Sequence, residues 1–225
     1  MKKAERSKRS AGEKAVDYIE HGMTIGLGSG STVYWMLKKL GEHVQKGLSV
    51  KGVPSSIKTE KWAAEFGVPL TSFTEVDKLD LAIDGADEIS PDFTLLKGGG
   101  GSLVREKIVN SAADRVITIA DHTKCVSQLG KRALPVEVVP FGWEVTAKQI
   151  KELDAGIQLR KVTNEPFVSD NGNYILDCAF GTISHPEILH NHLLHIPGVV
   201  ETGLFISLTD TVIIAEDQDI KILSH

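Results

Sequence analysis

Three stretches of this chain set reactive side chains beside glycines. The first is Gly26-Leu27-Gly28-Ser29-Gly30-Ser31-Thr32, between an apolar run and a helical pattern. Glycines let backbone N–H groups approach an anion closely, and the start of a helix adds partial positive charge. The hydroxyls of Ser29, Ser31 and Thr32 add donors. Ser31 stands where a dinucleotide fingerprint needs its third glycine, and no Lys follows the last Gly as a nucleoside-triphosphate loop requires. The motif suits a phosphate or carboxylate ligand. A tight turn in which Ser31 or Thr32 caps the helix is the plainer alternative.

The second stretch is Asp84-Gly85-Ala86-Asp87-Glu88, after the apolar run Leu79–Ile83. Crowded carboxylates repel one another, so such a cluster points to metal binding or to proton handling around sugar hydroxyls. A solvated acidic turn is its plainer reading. The third is Lys97-Gly98-Gly99-Gly100-Gly101-Ser102-Leu103-Val104-Arg105-Glu106-Lys107. Successive glycines are entropically costly to order, and a loop with that cost usually wraps something closely. Lys97 supplies a cation, and Glu106 falls in an early turn of the following helix. A carboxylate of ordinary pKa, about 4.3, is ionised at neutral pH and accepts a proton when held on a carbon acid. Helix-dipole stabilisation by Glu106, or a surface ion pair with Arg105 or Lys107, would also account for it.

The elements that must position these groups alternate. Helices are expected over 7–21, Thr32–Leu40, Thr59–Phe66 and Leu103–Ala113. Strands are expected over 23–28, Leu48–Val53, 68–73, 79–84, 93–97 and Arg115–Ala120. This alternation predicts an α/β fold, a Rossmann-like mainly parallel sheet flanked by helices. Such sheets bind ligands at the carboxyl ends of their strands, where the glycine loop, the Asp-Gly-Ala-Asp segment and Ala120-Asp121 fall. Near residue 131 the pattern changes. Leu134–Pro140 reads as a strand, Glu144–Leu153 as a helix, 167–177 as an Asn-Gly hairpin and Pro186–Ile196 as a helix. Residues 1–130 plus 204–225 are therefore read as the Rossmann-like domain, and 131–203 as a smaller α+β domain with an oligomerisation role.

The bulk composition narrows the partners. A net charge of −5 argues against nucleic acid, since phosphate backbones are held mainly by a surplus of Lys and Arg. The basic run Lys2–Arg9 reads as a solvated tail or first helical turn. No apolar run approaches the roughly 18 residues of a membrane helix, and the polar start encodes no signal peptide. Cys125 and Cys178 form no Cys-x-x-Cys motif and read as two buried thiols of a reducing compartment. Of the histidines between His185 and His195, only His192 and His195 share a helical face, with no acidic residue at ligand spacing, so no metal site is expected.

Taken together the chain resembles the ribose-5-phosphate isomerase A family. The matching segments are Gly-Leu-Gly-Ser-Gly-Ser-Thr at 26–32, Asp-Gly-Ala-Asp-Glu-Ile at 84–89, Lys-Gly-Gly-Gly at 97–100 and Arg-Glu-Lys-Ile at 105–108. Leu-Pro-Val-Glu-Val at 134–138, Asp-Asn-Gly-Asn at 170–173 and Pro-Gly-Val-Val-Glu-Thr-Gly-Leu-Phe at 197–205 follow in order. The resemblance implies interconversion of D-ribose 5-phosphate and D-ribulose 5-phosphate through an enediolate, in the non-oxidative pentose phosphate pathway, without metal or cofactor, by a cytoplasmic homodimer. It implies that Glu106 is the base that moves a proton between carbons 1 and 2, and that Asp84 assists ring opening. Asp87 and Lys97 would bind the sugar and steady the enediolate. Ser29, Gly30, Ser31, Thr32, Gly85, Ala86, Gly98, Gly99, Gly100 and Lys124 would contact substrate, and Lys8 would lie near the phosphate. Ser29 stands where many members of the family carry Thr, which preserves the hydroxyl. A sugar-phosphate-binding sensor module of the same fold is the rival; such modules usually carry an N-terminal helix-turn-helix, for which the region before Met23 is too short.

Overall fold

The computed structural model describes residues 2–224. In chain order the elements are α1 (Lys3–Ala15), β1 (Thr24–Leu27), α2 (Ser31–Gln45), β2 (Lys51–Pro54), α3 (Ile57–Phe66), β3 (Leu81–Gly85), β4 (Glu88–Ile89), β5 (Leu95–Leu96), α4 (Leu103–Ser111) and β6 (Val116–Asp121). There follow β7 (Leu134–Val138), α5 (Trp143–Lys151), β8 (Gly156–Leu159), β9 (Lys161–Val162), β10 (Glu165–Pro166), β11 (Tyr174–Ala179), α6 (Pro186–Leu194), β12 (Val199–Thr202), β13 (Leu204–Phe205), β14 (Thr211–Glu216) and β15 (Asp219–Ser224). Two compact units emerge. One holds residues 1–86, 105–124 and 207–225; the other holds 87–104 and 125–206.

The first unit is a six-stranded sheet of order β15-β14-β6-β3-β1-β2. Every neighbouring pair is parallel except β14 with β15. β6 is buried along its whole length and β3 at every position but its last, Gly85, as strands covered on both faces must be. Ala11, Ala15, Val33, Met36, Leu37 and Leu40 of α1 and α2 join Ile25, Leu27, Ile83, Ile119 and Ile213 of the sheet in one core. Gly12 permits the close crossing of these two helices, because a Cβ there would stand 2.7 Å from Thr32 O. A second cluster, Val53, Leu79, Ala82, Val109 and Val116, includes an α4 side chain. From β1 the chain turns to β2 on one side and then returns to β3 on the other. The strand order therefore reverses between β1 and β3, where parallel sheets open a ligand crevice at their carboxyl ends.

The second unit is built on a four-stranded antiparallel sheet, β12-β7-β11-β8, with a three-stranded sheet, β13-β5-β4. Leu134, Val136 and Val138 of β7 pack with Leu176, Cys178, Ile150 and Leu193.

Several expectations shift. Residues 68–73 form no strand; Leu70 makes a single bridge to Gly52. The first α-helix runs earlier, Lys3–Ala15, with Lys2 as its extended N-cap; of the two readings of the basic run, the helical one holds from Lys3 onward. The Asn-Gly turn joins Val168 to Tyr174 by one bridge, and of its two central residues only Gly172 has positive φ, so it is not the mirror-image two-residue turn. Cys178 is buried as expected, whereas Cys125 is exposed. The hairpin partner β15 was not read from the sequence; its Ile220 and Ile222 lie on a mostly exposed edge strand.

Candidate active site

In the first unit the glycine loop leaves the end of β1 and runs into α2. Gly28 N–H donates to Ile83 O at 3.0 Å, and Ser29 N–H donates to Asp84 Oδ1 at 3.0 Å. Gly85 N–H reaches the same oxygen at 2.7 Å, and Asn110 Nδ2 donates to Asp84 Oδ2 at 3.4 Å. Asp84, only 1 % exposed, is thus a buried carboxylate gathered into N–H donors at the β1/β3 crevice.

The helix that follows the loop is not capped by its own hydroxyls. Gly30, at φ +109°, is the residue before α2, and among the described residues no side chain bonds the first-turn amides. No acidic residue lies in that turn either. This argues against the capping account of Ser31 and Thr32 and leaves an open positive helix end. Ser31 is exposed and Thr32 is buried. The Ser29 hydroxyl sits within hydrogen-bond distance of Ser55, Ser56 and Thr59, at 2.9, 2.9 and 3.2 Å. Thr59 Oγ1 in turn donates to Gly28 O at 2.7 Å. Ser55, Ser56 and Thr59, which brace the loop from the turn before α3 and its first turn, were missed from sequence; Ser56 three residues before Thr59 carried a helix-cap signal.

Glu106 lies in the first turn of α4 and is 5 % exposed. That burial takes it off the solvated surface. Asn110 follows four residues later and so shares its helix face. Since Asn110 touches Asp84, this face of α4 is the one turned to the end of β3. Asn110 Oδ1 is buried with no hydrogen-bond partner among the described residues. Asn110 too was missed, although its spacing from Glu106 could have marked it.

Asp121 ends β6 and accepts from Thr123 N–H at 3.1 Å and from the Thr123 hydroxyl, which turns the chain into the short helix His122–Lys124. Lys8 Nζ pairs with Glu5 Oε1 at 2.8 Å, and this bond holds the Glu5 carboxyl below its ordinary range.

In the second unit Asp87 Oδ2 accepts from Gly99 N–H at 2.8 Å. Lys97, 2 % exposed, places Nζ 5.3 Å from the centre of the Phe205 ring. Gly98 and Gly101 have φ of +99° and +85°, which side-chain-bearing residues rarely adopt, and a Cβ on Gly101 would strike Phe167 at 2.4 Å. The boundary of the units falls between Ala86 and Asp87, so the Asp-Gly-Ala-Asp segment is divided between them.

A doubly covered parallel sheet with a glycine loop and buried carboxylates at its strand ends defines an α/β enzyme domain. The family model for ribose 5-phosphate isomerase A (phosphoriboisomerase A) matches residues 51–219. The chain is 49% identical over 223 residues to ribose-5-phosphate isomerase A 1 of Oceanobacillus iheyensis, covering 99% of this chain and 100% of that one. It is 50% identical over 215 residues to ribose-5-phosphate isomerase A of Bacillus mycoides, covering 95% and 97%. A solved D-ribose-5-phosphate isomerase in complex with phospho-erythronic acid superposes with a TM-score of 0.95 at 36% identity, covering 100% of both chains. The chain belongs to the ribose 5-phosphate isomerase A family. Among the described residues no helix is long and apolar enough to cross a membrane.

Proposed function

We propose that this protein interconverts D-ribose 5-phosphate and D-ribulose 5-phosphate, a step of the pentose phosphate pathway, with Glu106 as the base. The observation that carries the reading is the buried pairing of α4 with the end of β3. It puts Glu106 and Asp84, through Asn110, at the reversal point of a parallel sheet. Relatives that match over nearly the full length of the chain are isomerases, and no observation favours a sensing module.

The chemistry follows from these groups. Asp84 exchanges a proton with the ring oxygen and hydroxyls as the furanose opens. Glu106 removes the proton from carbon 2 of the open aldose, giving an enediolate, and returns it to carbon 1 as a proton moves between the two oxygens. No electrons leave the substrate, so no external oxidant or reductant takes part. Lys97 and the Gly100 amide steady the developing oxyanion, Gly98 and Gly99 contact the sugar beside them, and Asp87 binds sugar hydroxyls. Gly85 and Ala86 line the sugar. Gly30, Ser31 and Thr32, at the uncapped start of α2, contact the phosphorylated substrate with Lys124 and Lys8, and Ser29 shapes that loop. The phosphate acts as a remote handle that holds the sugar in the reactive pose.

Turnover of ribose 5-phosphate with EDTA present, for wild type beside Glu106→Gln, tests this. Ketose formation by the wild type, lost in a mutant that still binds the sugar phosphate, is expected. Near-wild-type turnover by Glu106→Gln would remove the base assignment.

The protein is further read as a cytoplasmic homodimer that pairs through its smaller domain, 131–203. Val139, Phe141 and Val145 expose apolar side chains around the start of α5, Phe141 to 92 %. Exposed apolar clusters of this kind mark association surfaces. Sedimentation at micromolar concentration should give twice the chain mass; a monomer would contradict it.

A further inference from the structure

Arg160 lies between β8 and β9, far in sequence from the glycine loop and outside every segment that carried the family resemblance. Its backbone is pinned on both sides. Arg160 N–H donates to Ile175 O at 2.9 Å, and its carbonyl accepts from Phe167 N–H at 2.8 Å. Its guanidinium makes a two-pronged pair with Asp177 of β11, Nε to Oδ2 at 3.0 Å and Nη2 to Oδ1. The remaining nitrogen, Nη1, donates to Gly98 O at 2.8 Å and to Gly99 O at 3.2 Å. The guanidinium also lies 5.9 Å from the centre of the Phe167 ring, the ring that covers Gly101.

These bonds fix two consecutive peptide planes. In a trans peptide the C=O and the following N–H point in opposite directions. Holding the carbonyls of Gly98 and Gly99 on one cation therefore turns the N–H groups of Gly99 and Gly100 away from it. Gly99 N–H is taken by Asp87 at 2.8 Å. Gly100 N–H makes no hydrogen bond among the described residues, and a Cβ at Gly100 would meet nothing within 4 Å. The loop thus presents one oriented, open backbone donor three residues after Lys97. Without such clamps a run of four glycines would sample many conformations.

We propose that Arg160, anchored by Asp177, is a positioning residue for the isomerase reaction. It holds the glycine-loop peptides so that Gly100 N–H is preorganised to meet the enediolate oxygen. The inference rests on the isomerase reading above. It acts through the loop and not on the sugar itself. Donors fixed in advance count most where charge develops, so their loss weakens the transition state more than the ground state. Lys lacks the planar fork needed to hold a carboxylate and two carbonyls at once, so it substitutes incompletely.

The test compares wild type, Arg160→Met, Arg160→Lys and Asp177→Asn by steady-state kinetics with ribose 5-phosphate. Each is assayed where circular dichroism shows it folded, and binding of phospho-erythronic acid is measured in parallel. For Arg160→Met, kcat should fall by about 10–100-fold, the scale of a small misplacement near the reacting atoms, with KM changed little. Affinity for phospho-erythronic acid, whose carboxylate mimics the enediolate, should fall by more than that for ribose 5-phosphate. Arg160→Lys and Asp177→Asn should fall between wild type and Arg160→Met in both readouts. If Arg160→Met does not fold, these two carry the same comparison. Wild-type kcat in the folded variants, or equal losses of affinity for substrate and for phospho-erythronic acid with kcat unchanged, would overturn the positioning role. A wild type that fails to turn over ribose 5-phosphate would instead overturn the isomerase reading, and this inference with it.

Discussion

Asn110 Nδ2 donates to Asp84 Oδ2 at 3.4 Å, one helical turn beyond Glu106 on the same face of α4. This bond joins the helix that carries Glu106, the proposed base, to the strand end that carries Asp84, the carboxylate proposed to assist ring opening. Asn110 is 2 % exposed, so its amide has no water to replace the contact.

Asn110→Leu should therefore lower kcat by about 10–100-fold while the fold survives, because both carboxylates lose their shared reference point. Asn110→Asp should be worse, since it sets a like charge against Asp84 in a buried place. Steady-state kinetics with thermal unfolding as control decides this. An Asn110→Asp enzyme as active as Asn110→Leu would show that charge at this position does not matter.

Gly28 has no space for a side chain. A Cβ there would stand 2.2 Å from Asp84 Oδ1 and 2.5 Å from Asp84 Cα. Gly28→Ala should destabilise the protein by about 1–3 kcal/mol, the usual cost of overpacking, and reduce turnover by displacing Asp84. Urea unfolding and the isomerase assay report the two effects separately. Unchanged stability would mean that the β1/β3 crevice yields more easily than its geometry indicates.

The turn between β14 and β15 is tied to α1 by Arg6, whose Nε lies 2.5 Å from Asp217 Oδ1, and by Ser7 Oγ, which accepts from Asp217 N–H at 2.7 Å. The Arg6 bond holds the Asp217 carboxyl below its ordinary range. A depressed folded pKa gives stability that is present above the unfolded pKa, about 3.9, and is lost as pH falls through the lower folded value. Both side chains are well exposed, so solvent screening keeps the effect modest. Thermal unfolding should show Asp217→Asn less stable than wild type at pH 7, with the gap closing in strong acid. A gap independent of pH would place the effect elsewhere.

The two thiols should differ sharply. Burial, with some help from the nearby Asp177 carboxylate, pushes the Cys178 thiol up to about 12, while Cys125 is exposed. Because the thiolate is the nucleophile, a disulfide reagent at pH 8 should titrate Cys125 alone in the native protein and both thiols after denaturation. Rapid reaction of both thiols before unfolding would contradict the buried setting of β11.

Much of this was legible in the chain itself. The alternation of apolar runs with helical periods gave the parallel sheet, because strands buried on both faces and amphipathic helices have different periods. Gly28, Gly98 and Gly101 announced tight backbone, and Asp84, Lys97 and Glu106 stood out as candidates for chemistry, because these residue types are costly to bury without a purpose. β5 fell within the strand expected over 93–97, but the short β4 and the exposed β15 were not read as strands. β4 is only two residues long, too short to show a period, and β15 is exposed over most of its length.

What the sequence determined was the set of candidate reactive groups and most of the order of strands and helices around them. The tertiary structure alone decided which groups support them. The Ser29 hydroxyl turns to Ser55, Ser56 and Thr59; Asn110 reaches Asp84; and Arg160 with Asp177 grips the carbonyls of Gly98 and Gly99. The physical reason is that a hydrogen bond depends on distance and angle within a few tenths of an ångström. Partners that lie 26 to 62 residues apart in the chain meet only once the sheet order and helix packing are set.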